Sequence, residues 1–287
     1  MDVGIFLPAT IPGVDGATVI AWAERADRGP FSSLGVIDRL VYPNFDPLIT
    51  LAAAAAVTKR IRLMTNILIA PYRNTAVLAK EAATLDALSH GRLTLGLAVG
   101  IREDDYLAAE TPYHTRGKRL DRQIMAMRRI WSGAPLSEAV GPIGPPPVRR
   151  GGPELLIGGH TPAAIARMAR WCDGYIMGSG DADQVRAASQ AASTAWSGAG
   201  RAGRPRFVGV MQAALGPDAA TRGLAHLRDY YAFAGPYLQH VVAHFATTPA
   251  AIRERIAAYA AIGMDELLLV PYLPEIEQLD RLAELVA

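Results

Sequence analysis

Residues 60–100, RIRLMTNILIAPYRNTAVLAKEAATLDALSHGRLTLGLAVG, leave the chain little choice of fold. Residues 61–69 are almost continuously apolar, the pattern of a strand covered on both faces as in a parallel sheet. Asn66 alone interrupts it. Val77, Leu78, Ala82, Leu85 and Leu88 then recur at helical spacing, Gly91 supplies a C-terminal stop, and residues 93–99 form a second apolar run. Strand, helix and strand in so short a span make a βαβ unit.

The same alternation continues along the chain. Residues 3–7 read as strand 1, 15–28 as its helix, and 34–37 as strand 2, ending in Asp38 and Arg39. Pro47 opens a helix that residues 48–58 continue with an alanine-rich face. After strand 4 a polar loop through Thr115 leads to a helix over 117–131, striped by Leu120, Ile124, Met127 and Trp131. Residues 132–153, with prolines at 135, 142, 145, 146, 147 and 153, are barred from regular structure; loops of that length are usually functional or poorly ordered.

Residues 154–157 read as strand 5, and Thr161 with Pro162 caps the helix that runs to Trp171. Residues 175–177 form strand 6. Asp181 starts a long helix that fades into residues 197–204, and 207–214 is strand 7. A helical pattern covers 217–233, Gly235 and Pro236 break it before 240–245, and Thr248, Pro249 and Gly263 delimit another helix. Residues 266–270 are strand 8, and Pro274 opens the last helix. Eight strands alternating with helices, without a G-x-G-x-x-G loop after strand 1, predict an α/β fold of the (β/α)8 TIM-barrel class, with insertions after strands 4 and 7. The 287 residues fit one such domain over 1–287, since these barrels take about 250 residues plus insertions.

Composition narrows the function. A net charge of +2 with no basic stripe among aromatics argues against nucleic acid, and no apolar run is long enough to span a bilayer, so neither nucleic acid nor membrane is an expected partner. One cysteine, Cys172, excludes an internal disulfide, and Asp2 runs straight into strand 1 with no leader pattern, so a cytoplasmic location is expected. Lys59, Lys80 and Lys118 are the only lysines among 29 basic residues, a bias typical of a G+C-rich coding sequence such as an actinomycete's.

In such barrels chemistry sits at the carboxyl ends of the strands. That rule selects Pro8 and Ala9, Asp38 and Arg39, Asn66 with residues 67–71, residues 99–102 including Gly100, residues 158–161, 178–181, Gln212, and Pro271 with Tyr272. Gly158-Gly159-His160-Thr161 and Gly178-Ser179-Gly180-Asp181 each open a helix with bare backbone N–H groups, a design suited to an anion, although glycine also serves tight turns.

The run Leu78-Ala79-Lys80-Glu81-Ala82-Ala83-Thr84-Leu85-Asp86, followed by Leu88-Ser89-His90-Gly91-Arg92-Leu93, resembles the signature of luciferase-like flavin- and deazaflavin-dependent oxidoreductases. Arg116-Gly117 with Arg119 and Asp121, Trp131, Leu156-Ile157-Gly158-Gly159 and Asp173-Gly174 extend the resemblance to about residue 180. It implies a barrel whose mouth takes coenzyme F420 or, alternatively, FMN. It also implies a cis peptide bond between Asn66 and Ile67 forming a bulge under the ring, with Asp38 beside the ring. Gly158, Gly159, Gly178 and Ser179 match the residues that bind the cofactor phosphate. A core amide satisfied by backbone is the alternative for Asn66.

The departures matter as well. The resemblance implies a histidine after the strand 2 acid and, in some F420 enzymes, a glutamate just after strand 4; here stand Arg39 and Ile101. A guanidinium does not deprotonate, so Arg39 is a candidate for an anionic substrate or developing oxyanion, or for a surface ion pair at the rim. His240, His244 and Tyr237 are the candidate replacement proton donors. The two histidines have metal-ligand spacing, but no third ligand is evident, so no metal is expected. Residues 103–105 suit a helix start, and His114 and Arg116 the rim.

The leading expectation is an F420-dependent oxidoreductase passing a hydride to or from a small organic substrate. The rivals are an FMNH2-dependent two-component monooxygenase served by a separate flavin or F420 reductase, a non-catalytic flavin-binding barrel, and a flavin-free sugar-phosphate barrel. A homodimer through the alanine face of 51–57 is expected, and substrate choice is assigned to residues 102–116, 132–153 and 217–247.

Overall fold

Eight strands close into a barrel in chain order: β1 (Asp2–Phe6), β2 (Ser33–Val36), β3 (Arg62–Ile69), β4 (Leu93–Ala98), β5 (Glu154–Gly158), β6 (Gly174–Met177), β7 (Arg206–Ala213) and β8 (Glu266–Pro271). Every neighbouring pair is parallel, β8 returning to β1. The computed structural model describes residues 1–286. Side chains alternate along each strand, so Val3, Ile5 and Leu7 enter the shell between strands and helices, whereas Phe6 points into the barrel. There it meets Met64, Leu156, Ile176, Val208, Val210 and Leu268, which plug the interior below the mouth.

The helices are α1 (Gly16–Arg28), α2 (Pro47–Val57), α3 (Thr75–Leu88), α4 (Glu103–Ala108), α5 (Arg116–Trp131), α6 (Pro162–Trp171), α7 (Ala182–Gly198), α8 (Ala219–Tyr230), α9 (Pro236–Ala243), α10 (Pro249–Ile262) and α11 (Ile276–Ala283). The caps follow the residue types. Asp46, Thr161 and Thr248 accept from the first-turn N–H groups of helices that each begin with proline, and Gly263 ends α10 at φ +88°. No helix of the described residues is long and apolar enough to cross a membrane.

Four expectations change. Val77 and Leu88 are exposed, because α3 buries Leu78, Ala79, Ala82, Ala83, Leu85 and Asp86 instead. The helix expected over 217–233 stops at Tyr230, and a 3-10 turn (Ala232–Ala234) leads through Gly235, φ +54°, into α9, which covers most of the stretch left unassigned. Irregular residues 132–153 are strapped down: Lys80 Nζ donates to Gly144 O at 2.9 Å, and Val148 N donates to Asp86 Oδ2 at 2.8 Å. They line neither of the cavities described below, so their expected part in substrate choice falls away.

Candidate active site

A cavity of about 360 Å3 occupies the barrel mouth, and an annex of about 550 Å3 lies beside it along the loops after β5 and β6. His160, Gly178, Ser179 and Tyr237 belong to both walls. A Cβ on Gly178 would lie 3.0 Å from His160 Cε1 and 3.4 Å from the Tyr237 hydroxyl. Glycine therefore keeps space between those two rings at the junction.

β3 brings Asn66 and Ile67 to the mouth. The peptide bond joining them is cis, and the register against β4 shifts between Thr65 and Leu68. Gly96 faces this irregularity, where any Cβ would sit 2.2 Å from Thr65 O. Asn66 is 4% exposed, and its buried Nδ2 has no acceptor among the described residues. A buried donor left unpaired costs about 1–3 kcal/mol. The alternative of a core amide satisfied by backbone thus fails for this nitrogen among the described residues.

Asp38 also lines the mouth, but its charge is spoken for. Arg73 Nη2 donates to its carboxylate at 3.1 Å and to Asp46 Oδ2 at 3.0 Å, and Ile69 N donates to Asp38 Oδ2 at 3.0 Å. Burial pushes the Asp38 carboxyl above its ordinary range against the pull of Arg73. For Arg73 burial also opposes the charge, yet Asp38, Tyr72 and Asp46 outweigh it and hold the guanidinium more firmly protonated.

Next to it, Arg39 makes no ion pair among the described residues, contrary to the rim-pair expectation. Its guanidinium carbon lies 4.2 Å from the Tyr42 ring centroid, 5.0 Å from Tyr230 and 4.9 Å from Phe233. Nη1 donates to Tyr230 O at 2.9 Å. Close by, Arg102 stacks on the same Phe233 ring at 4.5 Å and pairs with Asp104 and Asp105, and Asp105 accepts from Leu40 N and Val41 N at 3.1 and 2.7 Å. The loop after β4 is held by Tyr106 and Tyr113 hydroxyls on Val99 O and Ile101 O, and by Arg116 Nε on Gly100 O at 3.2 Å. Arg116 stacks on Tyr113 at 3.7 Å rather than forming a rim salt bridge.

In the annex the two glycine turns differ. The N-terminus of α7 is closed by its own residues: Asp181 accepts from Gln184 N at 2.8 Å while Gln184 Oε1 accepts from Asp181 N, and the acid adds negative charge there. An anion is therefore better received ahead of it. The N–H groups of Gly159, His160, Ser179 and Gly180 donate to no protein acceptor among the described residues. Gly158 serves another purpose, since a Cβ would meet Ile67 Cδ1 at 2.0 Å. The Ser179 hydroxyl is turned to Val210 O and to Gln212 Oε1, so of this residue it is the backbone N–H that is left without a protein acceptor among the described residues.

The candidate proton donors separate. Tyr237 lines both spaces, with its phenol held above its ordinary value by burial. His240 borders the annex and not the mouth, its Nε2 bonded to Ser179 O at 2.9 Å. His244 lines neither space; its Nδ1 bonds His240 O at 2.7 Å within one helical turn. No group of three or more His, Cys, Asp or Glu among the described residues could hold a metal ion. Burial, then the neighbouring His240, lower the His160 pKa below its ordinary value.

Arg73, Tyr230 and Phe233 were missed from sequence. Their partners lie 27 to 194 positions away, and no spacing rule reports such pairs.

A model of the luciferase-like monooxygenase family matches residues 1–261. An uncharacterised protein of Mycobacterium tuberculosis is 34% identical over 172 residues, 58% of this chain and 61% of that protein. The match thus spans about three fifths of that relative's length. Among solved structures, an F420-dependent secondary alcohol dehydrogenase in complex with an F420–acetone adduct superposes with TM-score 0.83 at 15% identity, covering 100% of this chain and 99% of that one. The FMN-bound oxygenating constituent of 3,6-diketocamphane monooxygenase from Pseudomonas putida gives 0.77 at 18% identity, covering 100% and 98%. At these identities the superpositions establish the shared barrel.

Proposed function

This chain belongs to the luciferase-like monooxygenase family, and on that premise we propose that it is an oxidoreductase passing a hydride between coenzyme F420 and a small organic substrate. The carrying observation is a mouth cavity with an unpartnered Asn66 Nδ2 beside an annex edged by unengaged backbone N–H groups and two imidazoles. A flat polar ring with an anionic tail fits that pair of spaces. When bound, the deazaflavin supplies the carbon that gives or takes the hydride.

The chain's own residues do the rest. Asn66 Nδ2 donates to the ring's polar edge, and the N–H groups of Gly159, His160, Ser179 and Gly180, with His160 and His240, receive the phosphate. Gly100 and Asp38 border the ring's space, Asp38 kept in place by Arg73. Burial keeps the Tyr231 and Tyr237 phenols protonated, so each donates a hydrogen bond to an oxygen gaining charge rather than ionising.

A second reading, an FMNH2-dependent oxygenase component fed by a separate reductase, is favoured by one feature. Among the described residues the annex wall holds two histidines and no lysine or arginine, which suits a lone terminal phosphate better than a tail with further carboxylates. Titrating the purified protein with F420 and with FMN separates them. Binding of F420 with turnover of its chromophore supports the first reading; tight FMN binding with no F420 binding selects the second. A bound cofactor whose redox state never changes with any substrate leaves only a binding protein.

We also take residues 1–287 as one domain, and place it in the cytoplasm, where the free, buried Cys172 stays reduced. A homodimer through α2 follows from Ile49, 74% exposed, and Val57 beside it on an apolar helix. Sedimentation should give a dimer, and Ile49→Glu a monomer.

A further inference from the structure

Arg39 stands out among the mouth's charged groups because all its acidic neighbours are engaged elsewhere. Asp38, beside it on the chain, binds Arg73 and Ile69 N. Asp105, facing it from α4, binds Arg102 and the N–H groups of Leu40 and Val41. Asp229, on α8, accepts from the Tyr42 hydroxyl at 2.7 Å. No carboxylate among the described residues approaches the Arg39 guanidinium within ion-pair distance, and its buried Nε has no acceptor at all.

Flat rings surround it. Tyr42, Tyr230 and Phe233 flank the guanidinium, Arg102 also stacks on Phe233, and Tyr230, Tyr231, Phe233 and Tyr272 line the mouth cavity. A half-buried cation without a counter-ion carries an uncompensated desolvation cost that a ligand's negative charge would offset. Arginine matches a carboxylate with paired donors, and aromatic faces match a flat apolar body.

We propose that Arg39 docks the carboxylate of a small aromatic acid, making organic acids the substrate class of this mouth. The proposal rests on the mouth being the substrate end of the cleft. It is distinct from a clamp role, in which Arg39 only fastens Tyr230 and Phe233 over the β2 end. A clamp affects stability without sorting ligands by charge.

The test is calorimetric titration of the cofactor-free protein with benzoate and with its uncharged analogue benzamide. Wild type should bind benzoate at least tenfold more tightly, and added salt should weaken benzoate alone. Arg39→Gln should lower benzoate affinity to that of benzamide and leave benzamide unchanged, while Arg39→Lys should restore part of the preference. His240→Gln should leave benzoate binding intact, because His240 borders only the annex, and this locates the carboxylate in the mouth. Lack of benzoate binding, equal affinities in wild type, a preference that survives Arg39→Gln, or a preference lost in His240→Gln would each overturn the proposal. Should Arg39→Gln fail to fold, the wild-type preference, its salt dependence and the His240→Gln control still decide it. Because no cofactor is present, failure of F420 to bind would sink the proposed function without touching this result.

Discussion

The two ends of the barrel treat polar groups in opposite ways. At the floor, where the strands begin, Glu154 receives Arg62, Arg206 and the Thr94 hydroxyl, and Glu266 receives Arg206, Ser32 and Ser33. Both carboxylates are answered from within the protein, although Arg62 Nε beside them is buried without an acceptor among the described residues. At the mouth, Asn66 Nδ2 and Arg39 Nε are buried without acceptors, and four N–H groups edge the annex unengaged. Satisfied polar networks hold a fold together, whereas unpaired donors lower stability unless a ligand completes them. The floor thus serves the barrel, and the mouth serves what it binds.

The largest expected effect breaks the floor. Glu266→Ala leaves Arg206 and two hydroxyls short of their acceptor, and should destabilise the protein by about 3 kcal/mol or more in urea unfolding. Cofactor affinity of the folded fraction should not move; a large affinity loss would show the ends to be coupled. Gly178→Val acts in the reverse sense. It fills the space between His160 and Tyr237 and should weaken cofactor binding at least tenfold, with unfolding free energy changed by less than about 1 kcal/mol. Unchanged affinity would detach the annex from the ring's cavity.

A smaller effect is expected from pH. His160 has a lowered pKa, so the unfolded chain takes its proton first as pH falls below about 6.5. Stability of the cofactor-free protein should be level above that value and decline below it until the folded-state pKa is passed. His160→Gln should remove this part of the decline, and inorganic phosphate should oppose it. A profile identical in wild type and variant would show His160 to be indifferent to the annex's charge.

The barrel was legible because its signals are local. Apolar runs gave the strands, caps followed by proline gave helix starts, and Gly263 gave a stop. The signature residues prove to be structural: Arg92 donates to Ala55 O, Thr58 O and Ile61 O, Trp131 Nε1 donates to Ala79 O, and Asp86 pins the strap over α3. Asn66 was legible as a polar residue breaking an apolar strand. Arg73 was not, because its meaning arises only when the fold brings Asp38 and Asp46 to it. His240 and His244 were misplaced for a related reason. Spacing put them on one helix turn but could not tell that one ring borders the annex and the other turns back to its own backbone.

The most direct test of the account is Asn66→Leu, followed by urea unfolding and cofactor titration on the same preparation. Stability should be unchanged or raised by up to about 1 kcal/mol, because a buried unpaired donor is removed, and cofactor affinity should fall about tenfold. A marked loss of stability with affinity intact would contradict it, and would make Asn66 a structural residue like those of the floor.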